Sequence, residues 1–173
     1  MQKTILITGS TDGIGLLTAQ MLAEQGHEVL LHGRSRAKLD AALAQVGGAS
    51  EGYIADLGSA AEVKRLANEV RAKHERLDVL INNAGVLKAP AVRTPDGFDV
   101  RFAVNTFAPL LLTRLLLPII PSDGRVVNLS SAAQAPVDPA AMSGKVCLDD
   151  MGAYAQSKLA ITIWSQELAK ELP

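Results

Sequence analysis

Tyr154 and Lys158 are the residues of this sequence whose types and spacing could do acid–base chemistry. They stand four positions apart, so they share one face if the segment is helical. The phenol of a tyrosine is a poor base at neutral pH, because its ordinary pKa is about 10. A neighbouring ammonium can stabilise a phenolate in a partly desolvated cleft, and a pKa of about 7 or 8 would require about 3–4 kcal/mol of this stabilisation. The pair predicts proton transfer by the phenol; a helix with both residues on its wet side is the alternative.

A second segment with possible chemistry is a glycine-rich turn near the N-terminus. Gly9, Gly13 and Gly15 follow the apolar run Ile5–Ile7, at the point where a helical pattern starts with Ile14. Such a turn lets the backbone approach the phosphates of a dinucleotide, and the helix N-terminus supplies free N–H groups. The spacing Gly-x-x-x-Gly-x-Gly differs from the usual fingerprint, so an ordinary turn is the alternative. The predicted cofactor-binding residues here are Gly9, Ser10, Thr11, Asp12, Gly13, Ile14 and Gly15.

The end of the second apolar run indicates which dinucleotide would bind. An NAD site usually places an acid there, against the ribose 2′-hydroxyl, whereas this sequence has Gly33 followed by Arg34. A guanidinium suits a 2′-phosphate by its charge and its forked donors. Arg34 therefore favours NADP over NAD. NAD stays open because Asp12 adds no attraction for phosphate, and a solvated arginine at a helix start is the alternative for Arg34.

Two kinds of segment alternate along the chain and must position these residues. Five short apolar runs without period-2 alternation indicate strands buried in a parallel sheet. The runs are Ile5–Ile7, Val29–Leu31, Gly52–Ile54, Val79–Ile81 and Val126–Leu129. The helical patterns are Ile14–Gln25, Arg36–Val46, Ala60–His74, Phe98–Leu117 and Ala153–Leu172. The alternation predicts one α/β domain over residues 1–173, a Rossmann-like, doubly wound, three-layer parallel sheet with strand order 3-2-1-4-5.

Local signals refine this expectation. Gly26 is placed to end the first helix, and Ser59 to cap the third. The segment Gln134–Gly152 is predicted to be an irregular loop because of its prolines and glycines. Loops of about twenty residues inside a compact domain are often functional.

Two more polar residues fall where strand ends and helices would meet. Ser131 follows the fifth apolar run, and strand carboxyl ends face the ligand crevice in this architecture, so its hydroxyl could bond a substrate oxygen. Ser130 is the rival position. Asn105 lies mid-helix, where an amide is a poor helix former unless its side chain has a role. A backbone hydrogen bond at a helix bulge is the alternative for Asn105.

With Asp56 and the segment Asn82–Gly85 added, the chain from Lys3 to Leu172 resembles the short-chain dehydrogenase/reductase family. The resemblance implies a catalytic tetrad, which would be Asn105, Ser131, Tyr154 and Lys158. It also implies adenine contacts by Asp56 and Leu57, and a turn against the cofactor ribose formed by Asn83, Ala84 and Gly85. Tyr154 and Lys158 would contact the cofactor as well.

Within that family the chain resembles the branch of retinol dehydrogenases and the WW-domain oxidoreductase. The similar segments are Thr94–Phe98, Phe102–Asn105 and Leu111–Leu117, together with the long gap from Ser131 to Tyr154. Family members continue beyond the tyrosine helix with two more strands and a substrate-covering segment, which this sequence lacks. We therefore expect the fifth strand to be a sheet edge, and either the 173-residue chain to associate or the natural protein to be longer than this sequence.

The amino-acid composition and charge of the chain argue against several other functions. Lys and Arg number 17 against 18 Asp and Glu, so charge gives no case for nucleic acid or an anionic membrane as partner. Aromatic residues are only 3%, too few for a single-strand stacking platform. The lone Cys147 excludes an internal disulfide, and the scattered histidines predict no metal site. No signal peptide is visible, and the apolar stretch Ala108–Ile120 is too short to span a bilayer, so we expect a cytoplasmic protein.

Together these features predict an NADP-dependent oxidoreductase that interconverts a carbonyl and an alcohol by hydride transfer. Its tyrosine would give or take the proton, its substrate would be a small molecule, and it would form a homo-oligomer. The first alternative is a nucleotide-binding regulatory or scaffold protein without turnover. The second is an isomerase or lyase that uses the same tyrosine, as sugar epimerases do.

Overall fold

Five parallel strands form one sheet in the order 3-2-1-4-5, as the sequence predicts. The computed structural model describes residues 1–172. The strands are β1 (Thr4–Ile7), β2 (Glu28–Gly33), β3 (Ser50–Ile54), β4 (Val79–Asn82) and β5 (Arg125–Asn128). The strand order reverses beside β1, which pairs with both β2 and β4. In open α/β sheets the crevice beyond the strand carboxyl ends at such a point is where ligands bind.

Helices cover both faces of the sheet. They are α1 (Gly13–Glu24), α2 (Arg36–Val46), α3 (Ala60–Lys73), α4 (Val100–Phe102), α5 (Ala108–Leu116), α6 (Pro139–Met142) and α7 (Asp150–Glu171). Alternate residues of β1 enter two separate cores. Leu6 packs in one core with Leu66 of α3 and Leu112 of α5. Ile7 packs in the other core with Leu39 of α2, which confirms the three layers.

The predicted helix boundaries at Gly26 and Ser59 are confirmed. Gly26 has a φ of 83°, which favours glycine, and its N–H donates to the Ala23 carbonyl just past the end of α1. Ser59 Oγ accepts from the Glu62 N–H at 3.4 Å in the first turn of α3. These local contacts set where two of the crossover helices begin or end.

The stretch Phe98–Leu117, predicted as one helix, is interrupted. Between α4 and α5 lies a π-helical turn, Ala103–Phe107, in which the Ala108 N–H donates to the Ala103 carbonyl five residues back. Pro109 explains the interruption, because in a regular helix its ring would clash with the carbonyl of Asn105 and it has no N–H to donate. The wider turn places Asn105 on a bulge, as the alternative interpretation expected.

The helical stretch Val100–Ile119 is long and apolar enough to cross a bilayer, with a mean hydropathy of 1.6. The expectation that the apolar stretch Ala108–Ile120 is too short to span a bilayer was wrong about the length, because the helical stretch begins at Val100 and has 20 residues. Half of it is buried inside the domain, and Leu112 and Leu116 are core residues. This burial is typical of a core helix, and the cytoplasmic location stays a prediction.

The predicted loop Gln134–Gly152 is partly helical, which corrects the expectation of irregular structure. Asp138 precedes α6 and accepts from the Ala140 N–H at 2.8 Å. Asp149 precedes α7 and accepts from the Gly152 N–H at 2.6 Å, so the tyrosine helix begins at Asp150 rather than Ala153. Aspartate is a favoured helix N-cap, and both starts could be found from the sequence by that signal.

β5 is a sheet edge in the described chain. It pairs with β4 from Arg125 to Asn128, and no strand of residues 1–172 pairs with its other side. Val127 in the middle of this strand is 43% exposed. An exposed apolar edge offers unpaired backbone groups to another chain.

We expect the purified 173-residue polypeptide to associate through this edge, and Val127→Lys to reduce the association. A charged side chain on an edge strand disfavours edge-to-edge pairing. Light scattering as a function of concentration measures the effect. Val92→Lys is the control, since Val92 is equally exposed at 41% and lies outside the sheet. A monodisperse monomer of 18.2 kDa at high concentration would contradict the prediction.

Candidate functional site

Tyr154 and Lys158 lie on the same face of α7, as predicted. The Lys158 ammonium lies 5.8 Å from the centroid of the Tyr154 ring. Lys158 is 4% exposed, and its Nζ donates to the carbonyl of Leu129, the residue after β5, at 2.7 Å. No carboxylate of the described residues forms an ion pair with it, and burial lowers the pKa of Lys158. The phenol therefore faces a buried ammonium that lacks an anionic partner.

Asn105 joins this site through its side-chain amide. Its Nδ2 donates to the Val86 carbonyl at 2.9 Å, and its Oδ1 accepts from the Val86 N–H at 2.8 Å. A Cβ added at Gly85 would lie 3.5 Å from Lys158 Nζ and 3.6 Å from Asn105 Oδ1, so the three residues meet there. Asn105 thus holds the loop after β4 against α7.

The same π-helical turn is bonded directly to α7. Asn105 Nδ2 also donates to Ser157 Oγ at 3.0 Å, and Thr106 Oγ1 donates to the Ser157 carbonyl at 2.9 Å. Ser157 is fully buried between the two elements. Because Ser157 precedes Lys158, these bonds fix the depth and rotation at which α7 presents its phenol and ammonium.

The structure separates the two candidate serines after β5. Ser130 Oγ donates to the Lys158 carbonyl at 2.8 Å and contacts Thr162 Oγ1 at 2.8 Å, so it fastens the strand end to α7. Ser131 Oγ accepts from the Ala133 N–H at 3.1 Å, and among the described residues its hydroxyl proton has no acceptor. Ser131 is therefore the serine with a hydroxyl proton free to donate, and its catalytic role stays a prediction.

The glycine-rich turn is held by close packing of backbone on backbone. Gly9 has a φ of 64°, and a Cβ there would lie 2.9 Å from the Ala84 Cα. A Cβ on Gly15 would overlap the Gly9 carbonyl oxygen and the Asn83 amide. Only glycine fits these two positions, because the start of α1 lies directly against the turns after β1 and β4.

Gly13 has the opposite surroundings. Its φ is 54°, and a Cβ there would meet no atom within 4 Å. Asp12 caps α1 by accepting from the Gly13 N–H at 2.8 Å, and the next residue, Ile14, is 73% exposed. The open side of the turn thus presents a helix N-terminus to the crevice. That arrangement suits the phosphates of a dinucleotide.

Both backbone groups of Gly9 are bonded to side chains from other elements. Its N–H donates to His32 Nδ1 at 3.1 Å, and its carbonyl accepts from Asn83 Nδ2 at 2.9 Å. Ser10 adds a reciprocal pair, since its N–H donates to the His32 carbonyl and its Oγ accepts from the His32 N–H. His32 and Ser10 therefore fix the turn to β2.

The end of β2 has no room for the acid of an NAD site. A Cβ on Gly33 would overlap Cγ2 of Thr11, so the threonine fills the space where a longer side chain would stand. Arg34 is exposed and forms no ion pair with any described residue. Asp12 is paired with Lys38 at 3.5 Å, which offsets the negative charge that weighed against NADP.

Asp56 and Leu57 lie at the end of β3 but differ in their surroundings. Asp56 is exposed, and its Oδ1 accepts from the Gly58 N–H at 2.8 Å. Leu57 is 5% exposed and packs in the core with α3. Only the Asp56 side chain is thus open to solvent at this end of the sheet. The predicted adenine contact of the pair stays a prediction.

Sequence reasoning missed Arg101, a fully buried arginine behind the site. Its guanidinium donates to Asp99 at 2.7 Å and to Asp150 at 2.7 Å. The pair with Asp150 joins the start of α7 to α4 across 49 residues. A buried guanidinium needs such carboxylates, because an unpaired buried charge is costly. Nothing in the spacing of the three residues could have revealed the contact.

Comparison with known proteins agrees with this geometry. Residues 3–173 match the family model described as short chain dehydrogenase. The chain belongs to the short-chain dehydrogenase/reductase family. Retinol dehydrogenase 13 of Homo sapiens is 35% identical over 98% of the chain, and human polyprenol dehydrogenase is 33% identical over the same share. The resemblance to the retinol dehydrogenase branch is thereby confirmed.

Solved structures of this family share the fold. A crystal structure of an uncharacterized protein from Mycobacterium paratuberculosis matches 98% of the chain with a TM-score of 0.87 and 35% identity. A metagenomic short-chain oxidoreductase in complex with NADP matches 98% with a TM-score of 0.79 and 32% identity. The chain covers 62% and 76% of these two structures. It spans about half the length of the curated relatives, 54% for human retinol dehydrogenase 13.

His32 gives a prediction on stability and pH. Burial is the main cause that lowers the pKa of His32 from 6.5 to about 4. Between about pH 6.5 and 4, His32 is protonated in the unfolded chain but not in the folded chain. The free energy of unfolding therefore falls as the pH drops through this range, and it levels off below about pH 4. The full loss is about 3 kcal/mol.

Urea unfolding of the wild type and of His32→Gln at several pH values measures this effect. The variant cannot titrate at this position, so its stability deficit relative to the wild type should shrink as the pH falls from 7 to 4. A deficit that stays constant over that range would contradict the lowered pKa of His32.

Proposed function

We propose that this chain forms the cofactor-binding and catalytic half of an NADP-dependent oxidoreductase that interconverts a carbonyl and an alcohol. The observation that carries the proposal is the Tyr154 phenol beside the buried Lys158 ammonium. Lys158 bonds to the residue after β5, so the pair lies beyond the carboxyl ends of the strands. The glycine-rich turn after β1 lies at the same end of the sheet. Proton-transfer residues and an anion-binding turn at one crevice are what hydride chemistry on a carbonyl needs.

The residues of the chain have distinct parts in the proposed mechanism. Tyr154 accepts the hydroxyl proton of the alcohol in oxidation, and donates a proton to the carbonyl oxygen in reduction. Lys158 stabilises the phenolate that this exchange requires, because its own charge lacks an anionic partner in the described chain. Ser131 donates a hydrogen bond from its free hydroxyl to the substrate oxygen and so stabilises the charge that develops there. A nicotinamide dinucleotide held by the glycine-rich turn and Lys158 would supply the hydride acceptor for oxidation and the hydride donor for reduction.

The fit of the dinucleotide is supported by two features of the glycine-rich turn and one of the loop after β4. The turn leaves open space at Gly13 and directs the N-terminus of α1 toward it. Ile14 offers an uncovered apolar side chain at the same place. Gly85 brings the loop after β4 close to Lys158, which could hold ribose hydroxyls there. A structural relative was solved in complex with NADP.

The choice of NADP over NAD rests on Arg34 and Gly33. The guanidinium of Arg34 is unpaired among the described residues, and Thr11 excludes a side chain at Gly33. A free guanidinium beside the ribose of the dinucleotide would bind a 2′-phosphate. A carboxylate there would instead bind the ribose 2′-hydroxyl.

A small-molecule substrate, a homo-oligomeric state and a cytoplasmic location belong to the same proposal. The relatives named retinol dehydrogenase and polyprenol dehydrogenase suggest apolar alcohols as the first substrates to test. If the chain binds NADPH but turns over none of them, the nucleotide-binding scaffold alternative is favoured.

Tyr154→Phe should abolish turnover and leave NADPH affinity nearly unchanged, because it removes only the phenolic hydroxyl. Lys158→Ala should weaken both. Stopped-flow or steady-state NADPH oxidation with retinal and smaller carbonyls measures turnover, and NADPH fluorescence measures binding. Tyr53→Phe is the control, since it removes the same hydroxyl from a buried phenol that bonds Glu51 and His74. Full activity of Tyr154→Phe would overturn the mechanism.

Arg34→Ala should remove a preference for NADPH over NADH. Loss of a charged hydrogen bond costs about 1.5–3 kcal/mol, so NADPH affinity should fall about 10- to 100-fold while NADH affinity changes little. Isothermal titration with both cofactors tests this. Arg36→Ala is a matched control, because Arg36 is exposed and paired with Asp40 at 3.7 Å. Equal affinity of the wild type for both cofactors would refute the role of Arg34.

A further inference from the structure

His32 is a buried histidine whose two ring nitrogens bond to peptide groups after two different strands. It is 2% exposed. Nδ1 contacts the Gly9 N–H after β1 at 3.1 Å, and Nε2 contacts the Ala55 carbonyl after β3 at 3.0 Å. The ring therefore lies at the end of β2 and connects the strand ends on either side of it. The chemistry described above does not use this residue.

The two contacts determine the protonation state of the ring. The Gly9 N–H can only donate, so Nδ1 must accept and carries no proton. The Ala55 carbonyl can only accept, so Nε2 carries the proton. An imidazolium would place two N–H groups against each other at Gly9. The charged side chains that influence the ring are Arg34 and Asp56, which follow β2 and β3.

The Gly9 peptide is the part of the glycine-rich turn with the least freedom. His32 holds its N–H from β2, and Asn83 holds its carbonyl from the loop after β4. Its φ of 64° places its Cα against Ala84. Without the His32 acceptor, the Gly9 N–H would lose its partner, and the peptide would have to rotate to find another.

We propose that His32 is a positioning residue for dinucleotide binding: its unprotonated Nδ1 fixes the Gly9 peptide and so sets the turn that receives the phosphates. This inference rests on the proposed function only for the identity of the ligand. It is the Nδ1 acceptor that matters, rather than the bulk of the imidazole. The bond from Nε2 to Ala55 serves to hold the ring in this tautomer.

Two substitutions separate the ring nitrogens. In His32→Asn the amide oxygen lies near the position of Nδ1 and can accept from Gly9. In His32→Gln the longer amide reaches the position of Nε2 and can donate to Ala55, but leaves Gly9 without an acceptor. NADPH affinity should change less than about threefold in the first and fall about tenfold or more in the second. His27→Gln is the control, because it makes the same change five residues earlier, immediately before β2.

A second readout does not involve the cofactor. Amide hydrogen exchange at Gly9 should be slow in the wild type and in His32→Asn, and fast in His32→Gln. Nitrogen-15 spectra of the wild type should show His32 as the neutral, Nε2-protonated tautomer, which tests the assignment even if a variant fails to fold. A different tautomer, or equal loss of affinity in both variants, would overturn the inference.

The two proposals can fail separately. A wild type that binds neither NADPH nor NADP would overturn the proposed function and with it the link to affinity. A wild type that binds NADPH, with His32→Gln binding equally well, would overturn only the role of His32.

Discussion

The burial of the Lys158 ammonium is the constraint on which the rest of the site depends. The ammonium of a lysine that is only 4% exposed, with no carboxylate partner among the described residues, is costly to bury, so the elements around it must compensate. The Leu129 carbonyl does so from the end of β5, and the same strand end is bonded to α7 through Ser130. The Tyr154 ring covers one side of the charge. The same contacts of Lys158 therefore hold α7 against the sheet and fix the geometry of the proposed catalytic pair.

Behind that pair, polar contacts between distant segments replace ordinary apolar packing. Asn105 and Thr106 on the π-helical turn bond Ser157, and Arg101 bonds Asp150 at the start of α7. Hydrogen bonds of this kind require a defined distance and angle, whereas apolar contacts tolerate sliding. The interruption at Pro109 thus has a structural use, since it presents the Asn105 amide to two partners at once.

The cofactor side of the crevice depends on the absence of side chains. Gly9, Gly15 and Gly33 each occupy a place where a Cβ would collide with a neighbour, and the neighbours are Ala84, the Gly9 carbonyl and Thr11. Three strand ends and the start of α1 can approach one another only because these three residues have no side chain. Gly13, at the start of α1, is the exception in this turn, because a Cβ there would meet open space.

The sequence by itself determined the strand order, the layers, most helix boundaries and the identity of the residue types at the site. Apolar periodicity and capping are local, so β1 to β5 and starts such as Ser59 can be predicted from the chain. Tertiary structure alone decided which serine keeps a free hydroxyl, that Arg101 reaches Asp150, and that His32 holds Gly9. Those contacts join residues far apart in the chain, and their distances follow from packing rather than from spacing in the sequence.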